Sequence, residues 1–137
     1  MEGIEPLRQI IRLSDWMAKV DLKDSYLTVP IHEVHHRFLR FTWAGLKYQF
    51  NCLPIGLSSA PRVFTELLKP VVAWLRANGI RMIVYLDDFI FSNENRDALI
   101  AELKLAPDLL ENLGFIINWV KSVTTPSQAM EFLGFFL

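Results

Sequence analysis

Cysteine is nearly missing: Cys52 is the only one in 137 residues. That excludes an internal disulfide and fits a reducing compartment, cytoplasm or nucleus. No apolar stretch reaches the ~18 residues a membrane span needs, because charges interrupt every run. The first residues lack a basic stretch followed by an apolar one, so no signal peptide is visible. Neither sign of charge is in surplus, with 14 Lys and Arg against 15 Asp and Glu. The basic footprint expected of a nucleic-acid-binding domain is therefore absent from the overall charge. Repeats, linkers and low-complexity segments are missing too. What the chain has is apolar residues, 52% of the total, and a mean hydropathy of +0.25. The length suits one domain with a real core. The apolar surplus either fills that core or faces neighbours in something larger.

Periodicity gives a coarse order of helix, strand, hairpin, helix, hairpin, helix and two strands. Ile4, Leu7, Ile10, Ile11 and Leu13 recur at helical spacing over residues 4–14. "MAKVDL" (17–22) reads as a strand, and "RFLRFTW" (37–43) with "KYQFNCL" (47–53) reads as a hairpin around Ala44-Gly45. The strongest helix runs from Ser58 or Ser59 as cap, through Pro61 in the first turn, to Asn78-Gly79. Its apolar face is Val63, Phe64, Leu67, Leu68, Val71, Val72 and Leu75, and Pro70 is expected to kink it. A second helix spans about 96–113, with Leu99, Ile100, Leu103, Ala106, Leu109, Leu110 and Leu113 inward and Gly114 as its stop; Pro107 interrupts the pattern. "GFIINW" and "MEFLGFFL" read as strands. The order implies an α+β fold, a mostly antiparallel sheet with helices packed on one face.

Two patterns suggest chemistry. "HEVHH" (32–36) matches the H-E-x-x-H zinc pattern, which needs a helix to put both imidazoles on one face. Pro30 lies just upstream, a strand-like run starts near Arg37, and no further histidine is available, so the segment reads as a polar turn. "IVYLDDFIF" (83–91) sets Asp87 and Asp88 inside an apolar run, and Asp21 ends another short apolar strand. Asp-Asp is ordinary hairpin-tip chemistry. Equally, three converging carboxylates would repel one another unless hard divalent cations neutralised them, as in phosphoryl-transfer sites. Spacing alone leaves both readings open.

"YLDD" between hydrophobic strands resembles the catalytic hairpin of reverse transcriptases. "KVDLKDSYLTVPI" resembles that family's first catalytic segment, and "CLPIGLSSAPRVFTELL" its template- and nucleotide-positioning segment. "LGFIINWVKS" resembles the segment after the catalytic hairpin, and "EFLGFFL" the primer grip. The matches occur in the family's order over about residues 15–137. "DWMAKVDLKDSY", "SSAPRVFTELLKPVV" and "KSVTTPSQAMEFLGF" are similar to DIRS-type retrotransposons, which pair a reverse transcriptase with a tyrosine recombinase.

The resemblance implies a ferredoxin-like palm that joins a deoxynucleotide to a primer 3′-hydroxyl with two Mg²⁺ ions, or Mn²⁺. Asp21 and Asp87 would be the main metal ligands and Asp88 the supporting carboxylate. Lys121 would sit by the departing pyrophosphate. Asp24 and Ser25 would hold the triphosphate through their backbone, Tyr26 would exclude a ribose 2′-hydroxyl, and Gly56 would let backbone approach the nucleotide and template. Phe132, Leu133 and Gly134 would form the primer grip. Ile55 stands where retroviral enzymes carry glutamine. By this resemblance residues 1–14 are a lead-in from the fingers and 15–137 a palm ending at the primer grip, without thumb or RNase H. The partners implied are an RNA/DNA template-primer and deoxynucleoside triphosphates. Two alternatives carry different expectations: a non-catalytic remnant acting as a binding or structural module, and a small nucleotide-binding protein that needs no primer.

Overall fold

The strand-like alternation around "MAKVDLK" becomes β1, Trp16–Lys23, and everything else is arranged about it. The computed structural model describes residues 11, 12, 14–54, 57–129, 131, 132, 135 and 136; the expected helix over 4–14 lies almost wholly outside them. β2 (Arg40–Trp43) and β3 (Leu46–Gln49) form a separate hairpin. α1 (Ala60–Ala77) leads into β4 (Arg81–Tyr85) and β5 (Asp88–Asn93). α2 (Arg96–Asn112) is followed by β6 (Ile116–Ile117) and β7 (Val123–Ser127). The last pair is β8 (Glu131–Phe132) and β9 (Phe135–Phe136).

In the main sheet the strands lie in the order β4-β5-β1-β6, with β7 also pairing β1. All pairings are antiparallel. The path β1-α1-β4-β5-α2-β6 through that order is the split βαβ arrangement of ferredoxin-like folds. β1 is central, so its two faces alternate cleanly. Ala18, Val20 and Leu22 join Met82, Phe89 and Phe91 in one buried cluster with Phe64, Leu68, Val72 and Leu75 of α1 and Leu99, Ala106 and Leu110 of α2. Both helices therefore cover the same face. Lys19 and Asp21 point to the other.

α1 starts without the serine cap that the sequence suggests: Ser59 makes no side-chain cap bond, and Pro61 sits in the first turn, where its missing N–H leaves nothing unsatisfied. The helix runs through Pro70, which is exposed. α2 likewise passes through Pro107, which is buried against the core. Leu67 and Leu113 are exposed instead of inward, at 45% and 53%. Leu67 falls at the edge of its helix's apolar stripe, where a 3.6-residue period has drifted off the buried face, and Leu113 is the C-cap residue just past the end of α2.

The histidine segment is helical after all. A 3₁₀ helix, Glu33–Leu39, replaces both the expected turn and the first part of the expected hairpin strand. His36 Nε2 donates to the Ile31 carbonyl at 2.7 Å, and His32 Nδ1 accepts from Val34 N–H. At three residues per turn, positions four apart do not share a face, so the zinc pattern loses its geometric basis. The β2–β3 hairpin beyond it is exposed along its whole length, with Trp43 72% accessible.

Candidate metal and nucleotide site

The β1–β5 register sets Asp21 directly opposite Asp88, and the β4–β5 register sets Tyr85 opposite Asp88. Strand pleating then puts Asp21 and Asp88 on the helix-free face, side by side. Asp87 occupies the two-residue turn with Leu86, and its carbonyl accepts from Leu22 N–H at 2.9 Å, which ties the turn to β1. One carboxylate oxygen from each of Asp21, Asp87 and Asp88 lies within 4.8 Å of the others. Sequence spacing could not establish this convergence; pairing in the sheet does.

Leu86 has φ +55°. Two-residue hairpin turns need a positive φ at this position and favour glycine for it. A leucine there stores strain of order ~1 kcal/mol, held by the ladders on either side. The apolar hairpin thus grips a turn that would not choose this conformation alone.

Burial and mutual repulsion perturb the acids. Asp88 is pushed up to about 6, first by burial, then by the charges of Asp21 and Asp87 and a hydrogen bond with Asp21, against a small opposing pull from Lys19. Burial and Asp21 also raise Asp87, while Lys121 draws it down. Tyr26 is raised by burial, then by Asp87 and Tyr85, so its phenol stays protonated. Its ring packs on Phe64 with centroids 5.3 Å apart. Asp24 is exposed with φ +49°, and Ser25 is buried where the chain turns toward Tyr26.

The structure thus gathers Asp21, Asp87 and Asp88; Lys121 acts on Asp87, and Asp87 on Tyr26, through charge. Gly56, Leu133 and Gly134 lie outside the described residues, and Phe132 is placed only as part of β8. Sequence reasoning missed the turn at 118–122. Asn118 N–H donates to the Asp21 carbonyl at 2.7 Å, and Asp21 N–H donates to Ser122 Oγ at 2.9 Å. The one available signal was Asn118 three residues before Lys121, since Asn side chains accept from nearby backbone N–H groups; here Asn118 Oδ1 accepts from Lys121 N–H.

An all-oxygen donor set, half-buried and carrying excess negative charge, fits a hard divalent cation such as Mg²⁺ or Mn²⁺ and not a thiophilic one. A ferredoxin-like sheet presenting such carboxylates at a hairpin tip and the facing strand has the build of a polymerase palm. The chain belongs to the reverse transcriptase (RNA-dependent DNA polymerase) family, whose pattern matches residues 2–137. Among its relatives, the Pro-Pol polyprotein of Feline foamy virus is 31% identical over 121 residues, 88% of this chain and 10% of the polyprotein. The enzymatic polyprotein of Cestrum yellow leaf curling virus is 25% identical over 133 residues, 96% of this chain and 20% of that protein. Foamy viral protease-reverse transcriptase in complex with an RNA/DNA hybrid superposes with a TM-score of 0.84 at 26% identity, over 99% of this chain and 18% of that one. The same enzyme bound to dsDNA also gives 0.84 at 26% identity, over 99% of this chain and 27% of that one. The chain therefore spans a fifth or less of these viral polyproteins. The family and the mixed antiparallel fold agree with the expectation from the sequence.

Proposed function

We propose that this chain is the palm of an RNA-directed DNA polymerase. The observation that carries the reading is the convergence of Asp21, Asp87 and Asp88 to within 4.8 Å. Asp21 and Asp87 would hold two Mg²⁺ ions, with Asp88 supporting. Bound there, the ions would activate the primer 3′-hydroxyl and neutralise charge as pyrophosphate leaves the α-phosphorus. Lys121, whose charge draws Asp87 down, would offset charge on the departing pyrophosphate. Tyr26, its ring fixed on Phe64, would bar a ribose 2′-hydroxyl. The backbone at Asp24 and Ser25 would contact the triphosphate, Gly56 the nucleotide and template, and Phe132, Leu133 and Gly134 the primer end.

The neighbours bound to an RNA/DNA hybrid and to dsDNA support a template-primer as partner. Their greater length supports a palm (15–137, with a lead-in at 1–14) that works beside fingers, thumb and RNase H regions. Such regions would also carry the basic strips that the near-neutral palm lacks. Affiliation with DIRS-type elements rests on the wording of residues 15–26, 58–72 and 121–135; a tyrosine recombinase gene beside the locus would support it.

Primer extension on an RNA template with a DNA primer, in Mg²⁺ and in Mn²⁺, tests the reading. Extension lost in Asp87→Asn is the expected result. A folded wild type that extends no primer, alone or with added fingers and thumb, would leave the non-catalytic binding module as the better reading.

A further inference from the structure

Between β6 and β7 the chain leaves the sheet as the turn 118–122. On that side β1 is paired at Leu22 and Lys23 by β6, and at Met17 and Lys19 by β7. Asp21 falls in the gap, so no strand residue serves its backbone there. The turn supplies both partners instead. Asn118 N–H donates to the Asp21 carbonyl at 2.7 Å, and Asp21 N–H donates to Ser122 Oγ at 2.9 Å. Ser122 Oγ–H donates in turn to the Asn118 carbonyl at 2.7 Å, which also accepts Ser122 N–H at 3.0 Å.

A serine bonding back to the carbonyl four residues earlier is common and usually local. This one also accepts from a residue 101 positions away. The hydroxyl thus closes a ring linking Asp21, Asn118 and Ser122, and Lys121 rides on that ring beside it. Lys121 attracts Asp87 from there. We infer that Ser122 is a positioning residue: its hydroxyl clamps the 118–122 turn to the backbone of Asp21 and so fixes Lys121 against the carboxylate cluster. What the cluster holds rests on the function proposed above; the clamp itself does not.

Two measurements on the full chain test this, with Ser122→Ala removing the hydroxyl and Ser122→Thr keeping it. The first is amide hydrogen exchange at Asp21 by NMR. Wild type and Ser122→Thr protect this amide; Ser122→Ala loses roughly tenfold of the protection, as for one lost hydrogen bond, with Val20 and Leu22 unchanged. Unaltered protection in a folded Ser122→Ala overturns the clamp.

The second is a double-mutant cycle in Mn²⁺ affinity. A lysine held near the cluster opposes a cation, so Lys121→Ala tightens Mn²⁺ binding about threefold in the wild-type background. In the Ser122→Ala background the same change has no effect, and Ser122→Thr restores it. A Lys121 effect of equal size in both backgrounds overturns the inference, because general destabilisation would not erase it. A wild-type chain that takes up no Mn²⁺ would refute the metal site, and Asp21 exchange alone would then decide the clamp.

Discussion

Asp88→Asn should stabilise the metal-free protein, and only at neutral pH. The Asp88 carboxyl rises from 3.8 to about 6 in the fold, through burial first and the neighbouring charges of Asp21 and Asp87 next. At about 1.4 kcal/mol per unit the shift corresponds to ~3 kcal/mol. The group is only half-buried, and solvent screening cuts this to about 1 kcal/mol. The sign follows from a folded value above the unfolded one. The stabilising contribution of the protonated acid is complete below pH ~4 and is lost as pH rises through about 6. Asparagine imitates the protonated acid, keeps a donor for Asp21 and cannot ionise. In EDTA at pH 7.5 the variant should therefore melt ~3–5 °C above wild type, and at pH 4 the two should coincide. Saturating Mg²⁺ should reverse the order, since the cation stabilises the intact triad more. Calorimetry at both pH values is the assay. An equal gain at pH 4 and 7.5, or a loss at 7.5, would show that charge repulsion does not govern the site.

Three further outcomes are expected. Tyr26→Ala should admit ribonucleotides in primer extension and destabilise the fold through its lost packing on Phe64, whereas Tyr26→Phe should do neither; equal discrimination in all three proteins would remove the steric role. Asp15→Ala should cost about 3 kcal/mol in urea unfolding, because it removes the buried carboxylate that meets the Arg81 guanidinium at 2.9 and 3.1 Å. A cost under ~1 kcal/mol would show that water reaches the pair. Leu86→Gly should relieve ~1 kcal/mol of turn strain while loosening the tip, raising stability or leaving it unchanged as primer extension falls; a gain in both would mean the strain has no part in placing Asp87.

Much of this architecture was legible because apolar periodicity is imposed locally. β1, the Asp-Asp hairpin, α1 and α2 all stand where the pattern set them, and turn signals at Gly79 and Gly114 stop the helices as expected: both glycines have positive φ. The failures share another cause. β7 carries Thr124, Thr125 and Pro126 and has no apolar alternation; it is a strand because β1 offers it an edge, and that edge is a tertiary fact. The 3₁₀ helix at Glu33–Leu39 lacks any apolar stripe, since none of its residues is buried. In the site, the carboxylates could be named from their unlikely place in an apolar run, but Ser122 could not. Its partner is remote in sequence, and a serine after a lysine carries no periodic signal.

The same contrast explains how the site is built. Each of its elements is a locally poor choice: a leucine at φ +55°, acids directly opposite each other across a ladder, a central strand that neither β6 nor β7 pairs at Asp21. Together these would cost several kcal/mol if nothing offset them. The offset is structural at two of the three: the β4–β5 ladder holds Leu86, and the 118–122 turn completes the ladder at Asp21. Nothing among the described residues offsets the third in the same way, since Lys19 and Lys121 oppose the shifts of Asp88 and Asp87 without cancelling them. The fold therefore holds the first and third of these in place and leaves the mutual repulsion of the acids, which a divalent cation would relieve. That leftover charge makes a cation site a better physical account of these acids than a solvated turn, which would have let them separate.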